Sequence, residues 1–282
     1  MTDHSTPETA LTNPMLRLAR IAVRFGNRPG IAGRLGGRAH STLVRHRNWE
    51  RRFVAECLRA WRETGTLSAI RVLRRGLNIQ MADRELAHVL ETLERRRPCA
   101  LLVFGMGNDS ILWFEANRGG DTVFVEDDPY WTKMIHDRHP SLQSVPVVYG
   151  TRAIDWRRDA VNPTSLILPQ RLTAHPWDLI LVDGPAAYTR ESPGRVQSIH
   201  AARRLVAPQG AILVNDCNRE AESRICDMIL GHLPLASSTN SLRHYSRPPI
   251  EKAAPVTRRV QAANDSVRRP LPAAARVVGQ PA

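Results

Sequence analysis

A chain of 282 residues, 42% of them hydrophobic, can bury a full core, which rules out a small disulfide-stapled scaffold. Its four cysteines have no C-x-x-C spacing, so a zinc-ribbon site is excluded and a reducing compartment is expected. The formal net charge of +13 is uneven: residues 1–98 sum to +10, residues 248–282 to +4 and residues 99–247 to −1.

The flanks therefore hold the basic character. Only Lys133 and Lys252 are lysines, an arginine bias that reads as composition, and no specific nucleic-acid partner is expected. No basic-then-apolar leader follows Met1, and no run reaches the roughly 18–20 apolar residues that span a bilayer. The expectation is a soluble, cytoplasmic protein.

Residues 1–45 read as a basic, partly disordered segment. Within it, Asn13-Pro14 opens a short amphipathic helix, Met15 to Phe25, with Arg17, Arg20 and Arg24 on one face. That face suits weak peripheral membrane contact. Gly26 to Gly37 reads as a flexible linker. Residues 46–98 form a helical extension. Its helices are Asn48–Glu63 with a Phe53, Val54, Cys57, Leu58, Trp61 stripe, Leu67–Leu73, and Asp83–Arg97, capped by Asp83 and stopped by Pro98.

From Cys99 short apolar runs alternate with helices. Strands are expected at Leu101–Phe104, Thr122–Asp128, Ser144–Tyr149, Asp178–Asp183 and Gly210–Asp216. Helices are expected from Ser110, at Tyr130–Arg138 behind Pro129, at Ser198–Val206 and at Glu220–Leu230, with residues 151–175 a long connection. This alternation predicts an α/β fold over residues 99–245, a Rossmann-like, doubly wound, mostly parallel sheet. Residues 246–282 read as a disordered tail.

Ligands in such sheets bind outside the carboxyl ends of the strands, so chemistry is sought there. The first strand runs into Gly105-Met106-Gly107, with Asp109 and Ser110 opening a helix. Glycine lets the backbone turn and approach a ligand closely. Glu126, followed by Asp127, ends the second strand 21 positions after Gly105, where an acid takes the ribose hydroxyls of an adenine nucleoside. This fits NAD or S-adenosylmethionine (SAM). Ser110 falls where a dinucleotide fingerprint has its third glycine, which disfavours NAD.

Asp183 and Asp216 end the fourth and fifth strands, and Asn218 follows two residues on. Three oxygen donors converging there make a candidate divalent-metal site; without metal, either carboxylate serves as general base. Tyr188 and Arg195 sit in the loop after strand four, where a substrate is expected; Arg195 suits a substrate carboxylate. Three readings stay open on the residues alone: a SAM-dependent methyltransferase, an NAD-dependent oxidoreductase, and a nucleic-acid or membrane-associated module using the arginine-rich flanks.

A family resemblance separates them. Val103-Phe104-Gly105-Met106-Gly107-Asn108-Asp109-Ser110-Ile111-Leu112-Trp113 resembles the V-F-G-L-G-H-D-S-x-x-W segment of plant glucuronoxylan 4-O-methyltransferases and their irregular-xylem-like relatives. The run Gly119 to Asp128 is similar to G-G-R-T-V-F-L-E-E-D, Val148 to Thr151 to V-Y-R-T, and Trp177 to Pro185 to W-D-L-I-M-V-D-A-P. Pro193-Gly194-Arg195 matches P-G-R, and Asn215 to Arg219 resembles H-D-V-N-R.

The resemblance implies SAM-dependent methylation of a uronic-acid hydroxyl, the 4-hydroxyl, in a polysaccharide or glycan precursor. Gly105, Gly107, Asp109, Ser110, Glu126 and Asp127 would line the cofactor site. Asp183, Asp216 and Asn218 would surround the reacting centre, facing a carbohydrate or other hydroxylated acceptor. Two positions depart from the family pattern: Asn108 and Asn215 stand where the motifs have histidine.

Overall fold

Period-two alternation along each central strand sends side chains to two separate cores. The structure, a computed structural model, describes residues 39–246, with side chains from Trp49 onward. The Met15–Phe25 helix, the glycine-rich linker and the tail beyond residue 246 lie outside the described residues. Seven strands form one sheet: β1 (Ala100–Phe104), β2 (Asp121–Glu126), β3 (Gln143–Pro146), β4 (Trp177–Val182), β5 (Val206–Val214), β6 (Leu235–Thr239) and β7 (Leu242–Ser246). Their order is β3-β2-β1-β4-β5-β7-β6. The first five pair in parallel, while β7 is antiparallel to both β5 and β6. Order reverses between β1 and β4, the switch point at which doubly wound sheets open a crevice.

Three helices, α1 (Ala39–Thr64), α2 (Leu67–Leu77) and α3 (Asp83–Glu94), precede the sheet. Phe53, Leu58, Leu73, Leu86, Leu90 and Leu93 from these helices join Leu101, Val103, Phe124, Leu179, Leu181 and Leu213 in one buried cluster. The alternate strand residues, Leu102, Phe104, Val125, Ile180, Val182 and Val214, form the opposite cluster. There they meet α8 (Val196–Leu205) and α9 (Glu220–Leu230) through Ile199, Ala202, Ile225 and Ile229. Parallel strands buried on both faces explain the unbroken apolar runs. The residues before Cys99 thus supply one wall of the core. No described helix is long and apolar enough to cross a membrane.

Between these lie α4 (Ser110–Ala116), α5 (Pro129–Arg138), α6 (Trp156–Val161) and α7 (Gln170–Thr173), the last two within the segment expected as a long connection. Several expected boundaries shift. Helix α2 runs to Leu77, where Asn78 caps it with φ 54°, in the left-handed region that asparagine tolerates. Helix α3 starts after Ala82: Glu85 accepts the Ala82 N–H at 2.9 Å, while Asp83 pairs with Arg71 and Arg74 of α2. Asp83 therefore joins two helices instead of capping one. Strand β5 begins at Val206, and its pairing with β4 slips between Trp177 and Leu179, an irregularity that accommodates Pro208.

Candidate active site

The loops leaving β1 and β4 touch. Gly105 has φ +105°, and a Cβ built on it would lie 3.0 Å from the Gly184 nitrogen; one on Gly184 would lie 2.7 Å from the Gly105 Cα. Only glycine satisfies both contacts, so the two backbones form a shallow cradle at the switch point. Gly107 lines the same crevice. Ser110 turns away from it. Completely buried, it accepts the Gly107 N–H on Oγ at 2.9 Å and holds the loop, so it is not a cofactor contact as expected.

Asp109, Glu126, Asp127, Asp128 and Asp183 line this crevice together, and no lysine or arginine is among its lining residues. Glu126 is 6% exposed. Its carboxylate accepts N–H groups from Met106 at 2.6 Å, Asp127 at 3.0 Å and Asp128 at 2.8 Å, tying the end of β2 to the glycine loop. Burial still pushes its carboxyl up to about 7. Burial likewise raises Asp127 and Asp109, although Asp109 accepts the Trp113 Nε1–H at 2.9 Å. Asp128 caps α5 by accepting the Tyr130 N–H at 2.8 Å.

At the end of β4, Asp183 accepts the Asn215 Nδ2–H on Oδ1 at 2.9 Å, with the Arg195 guanidinium 3.5 Å away. Burial pushes the Asp183 carboxyl up to about 7, Arg195 pulls it down, and the Asp109 and Asp216 carboxylates push it up again. A carboxyl poised near neutrality, facing a crevice, suits proton abstraction.

Asp216 does not share that crevice. It sits at φ 63°, and its carboxylate is held by Arg195 at 2.6 Å and Arg219 at 3.2 Å. Asn218 is exposed outside the crevice. The expected Asp183, Asp216, Asn218 metal set is therefore corrected: two guanidinium groups neutralise Asp216, Asn218 lies outside the crevice, and no group of three His, Cys, Asp or Glu side chains placed to hold a metal occurs among the described residues. These residues do not fit a divalent ion.

Arg195 is also corrected. It is 2% exposed and donates to the Asn215 carbonyl at 2.5 Å, the Asp183 carbonyl at 2.9 Å and the Asp216 carboxylate. A guanidinium so engaged clamps the ends of β4 and β5, and its remaining Nε is buried, so no edge of it faces a substrate carboxylate. Tyr188 does reach the crevice rim, 73% exposed, with the Arg219 guanidinium 5.6 Å from its ring centroid.

The crevice has a second wall that periodicity did not indicate, formed by Asn78 to Met81 between α2 and α3 and by Trp131 of α5. Trp131 was within reach of sequence reasoning, because the first turn of a helix that follows β2 faces the strand ends. The Asn78–Met81 wall depends on how α2 and α3 pack, which no local pattern states.

Fold and site define a class, a Rossmann-like, doubly wound α/β protein with an acidic crevice at its switch point. The profile of the IRX15/IRX15L/GXM family matches residues 84–162 and 160–245, more than half the chain, and the chain belongs to that family. It is 33% identical over 192 residues to glucuronoxylan 4-O-methyltransferase 1 of Arabidopsis thaliana, covering 60% of this chain and 68% of that protein. Arabinogalactan O-methyltransferase 2 of the same plant is 30% identical over 196 residues, covering 60% and 67%. Glucuronoxylan 4-O-methyltransferase 3 is 32% identical over 178 residues, and there the match spans 60% of the relative's length. Among solved structures, precorrin-6y C5,15-methyltransferase from Geobacter metallireducens GS-15 superposes at a TM-score of 0.39 with 14% identity, covering 60% of this chain and 91% of that one.

Proposed function

We propose that the protein transfers a methyl group from SAM to a sugar hydroxyl, with a uronic acid of a polysaccharide or glycan precursor as acceptor. One observation supports this most: five carboxylates and no cationic side chain line the crevice against the glycine cradle. SAM carries a sulfonium and an ammonium group against one carboxylate, a net positive charge that such a lining attracts. A dinucleotide brings two phosphate charges, which it repels, and this disfavours the NAD reading. The cradle supplies the close backbone approach that a cofactor needs. Glu126 retains a lone pair beyond its three backbone bonds, and with Asp127 it suits the ribose diol.

When bound, SAM supplies an electrophilic methyl group. Asp183 takes the acceptor hydroxyl proton, and its raised affinity for a proton suits it to do so near neutrality. Tyr188 at the rim offers a ring on which a pyranose can pack. Relatives named for glucuronoxylan and arabinogalactan methylation support a carbohydrate acceptor. The test is incubation with methyl-labelled SAM and uronate-bearing oligosaccharides, beside neutral oligosaccharides, protein and RNA. Label in the uronate-bearing pool, lost with Asp183→Asn, is expected. Label appearing only in protein or RNA would overturn the acceptor class.

A further inference from the structure

We propose that Asn215 is the positioning residue for Asp183, and that Ser241 and Glu85 hold Asn215 in turn. The proposal rests on the reading of Asp183 as the base. Four residues from four separate segments of the chain make one continuous polar row. Asn215 Nδ2 donates to Asp183 Oδ1 at 2.9 Å, and Asn215 Oδ1 stands 3.4 Å from the Ser241 hydroxyl. Ser241 donates its backbone N–H to Glu85 Oε1 at 2.8 Å and its hydroxyl to the same oxygen. Glu85 Oε2 accepts the Ala82 N–H, so the row ends where the Asn78–Met81 wall of the crevice begins.

Asn215 is 7% exposed and Glu85 3%, so water does not replace these contacts. The Ser241 hydroxyl has one proton and Glu85 is its nearer acceptor, which makes the approach to Asn215 the weaker link. Asn215 is also fixed by its backbone: its N–H donates to the Val182 carbonyl at 3.0 Å, and its own carbonyl accepts from Arg195. The side chain therefore has little freedom except rotation of the amide. Ser241, pinned by its backbone bond to Glu85, turns its hydroxyl hydrogen between Glu85 and the Asn215 amide oxygen, which favours the amide orientation with Nδ2 toward Asp183.

The chemistry explains why an amide serves here. An amide donates an N–H to a carboxylate but takes no proton at working pH, so the proton removed from the acceptor stays on Asp183. The position is distinctive in this chain, because the resembling family motif has histidine there, and an imidazole would compete for that proton.

The groups facing Asp183 come from every neighbouring element. Arg195 lies before α8, Asp109 before α4, and Asn215 and Asp216 after β5, with Arg219 reaching it only through Asp216. Asn215 and Arg195 favour the charged carboxylate, whereas burial, Asp109 and Asp216 favour the neutral acid. Removing the Asn215 donor therefore moves the acid limb of the rate profile to higher pH.

The experiment measures kcat, KM for SAM and the pH profile of Asn215→Leu, Asn215→His and Ser241→Ala. Asn215→Leu should lower kcat about 10- to 100-fold, leave KM for SAM within about twofold, and raise the acid limb by roughly half to one pH unit. Ser241→Ala, remote from the crevice, should shift the limb in the same direction by less. Asn215→His should retain more activity than Asn215→Leu. If the limb stays in place in Asn215→Leu and in Ser241→Ala, or the rate loss matches a loss of SAM affinity, the positioning role is wrong. Full activity in Asp183→Asn is a separate result: it would remove the base itself, whatever the Asn215 variants do.

Discussion

Replacing Arg195 by methionine isolates the clamp that joins the ends of β4 and β5. Methionine keeps much of the apolar stem while deleting the guanidinium. The change removes three bonds of 2.5, 2.9 and 2.6 Å, to the Asn215 carbonyl, the Asp183 carbonyl and the Asp216 carboxylate. The guanidinium side chain is 2% exposed, so water cannot restore them. Breaking a buried ion pair from one side costs roughly 3–5 kcal/mol. Asp216 is 23% exposed and keeps Arg219 at 3.2 Å, which places this case at the low end, about 3 kcal/mol. For a domain of this size each kcal/mol lowers Tm by about 2–4 °C, so a fall of roughly 10 °C is expected. Urea unfolding followed by tryptophan fluorescence reads the energy. Arg195→Lys should not rescue, since an ammonium cannot span three acceptors in one plane. A cost under about 1 kcal/mol, accompanied by weaker acceptor binding, would refute the clamp and return Arg195 to the substrate.

Asp183→Asn should cost kcat about 10²–10⁴-fold while SAM still binds by calorimetry. In the wild type, kcat/KM should rise with pH through about 7 and then level off, since the base works deprotonated; a flat profile from pH 6 to 8 would contradict this. The same carboxyl has a folded-state value above its ordinary 3.8, so its contribution to stability is complete below that value and is lost as pH rises through about 7. That rise corresponds to about 4 kcal/mol at 1.36 kcal/mol per tenfold, reduced to ~1–2 kcal/mol by solvent at a partly exposed side chain. The ligand-free Asn variant should accordingly melt above wild type at pH 8 and with it near pH 4. Gly184→Ala drives a Cβ to 2.7 Å from the Gly105 Cα. It should destabilise by ~1–3 kcal/mol and abolish SAM binding, measured by melting with and without SAM.

Much of the fold was legible because doubly buried strands leave an unmistakable trace. Leu101–Phe104, Val123–Val125 and Leu179–Val182 are unbroken apolar runs, and each is followed by a turn and a helix. The hairpin of β6 and β7 was not read. Its strands carry Ser237, Ser238, Arg243 and His244, and they gain their place by pairing against β5. Asn240 at φ 52° was the one local signal, an asparagine in a tight turn between two short runs. Gly105 and the acids that follow β1, β2 and β4 were legible from strand order, since a parallel sheet presents its strand ends together, whereas Gly184 as the second half of the cradle depends on a contact between two loops that no local pattern states.

What failed was the assignment of free versus occupied groups. Asp216, Arg195 and Ser110 stand where reactive groups belong, yet each is consumed by a partner 21, 20 and 3 residues away. Sequence order places a residue at a strand end but does not say whether another chain segment neutralises it. The same blindness hid Glu85 and Ser241, whose 156-residue separation closes only when α3 packs beside the hairpin.

On the proposed reading, the acidic crevice at the β1–β4 switch point holds SAM. Calorimetric titration of the full chain with SAM, and in parallel with NAD, tests it directly. Saturable SAM binding with one site per chain, weakened at least tenfold by Glu126→Ala, and no heat from NAD are the results expected. NAD binding without SAM binding would overturn both the cofactor and the methyl transfer proposed for this crevice.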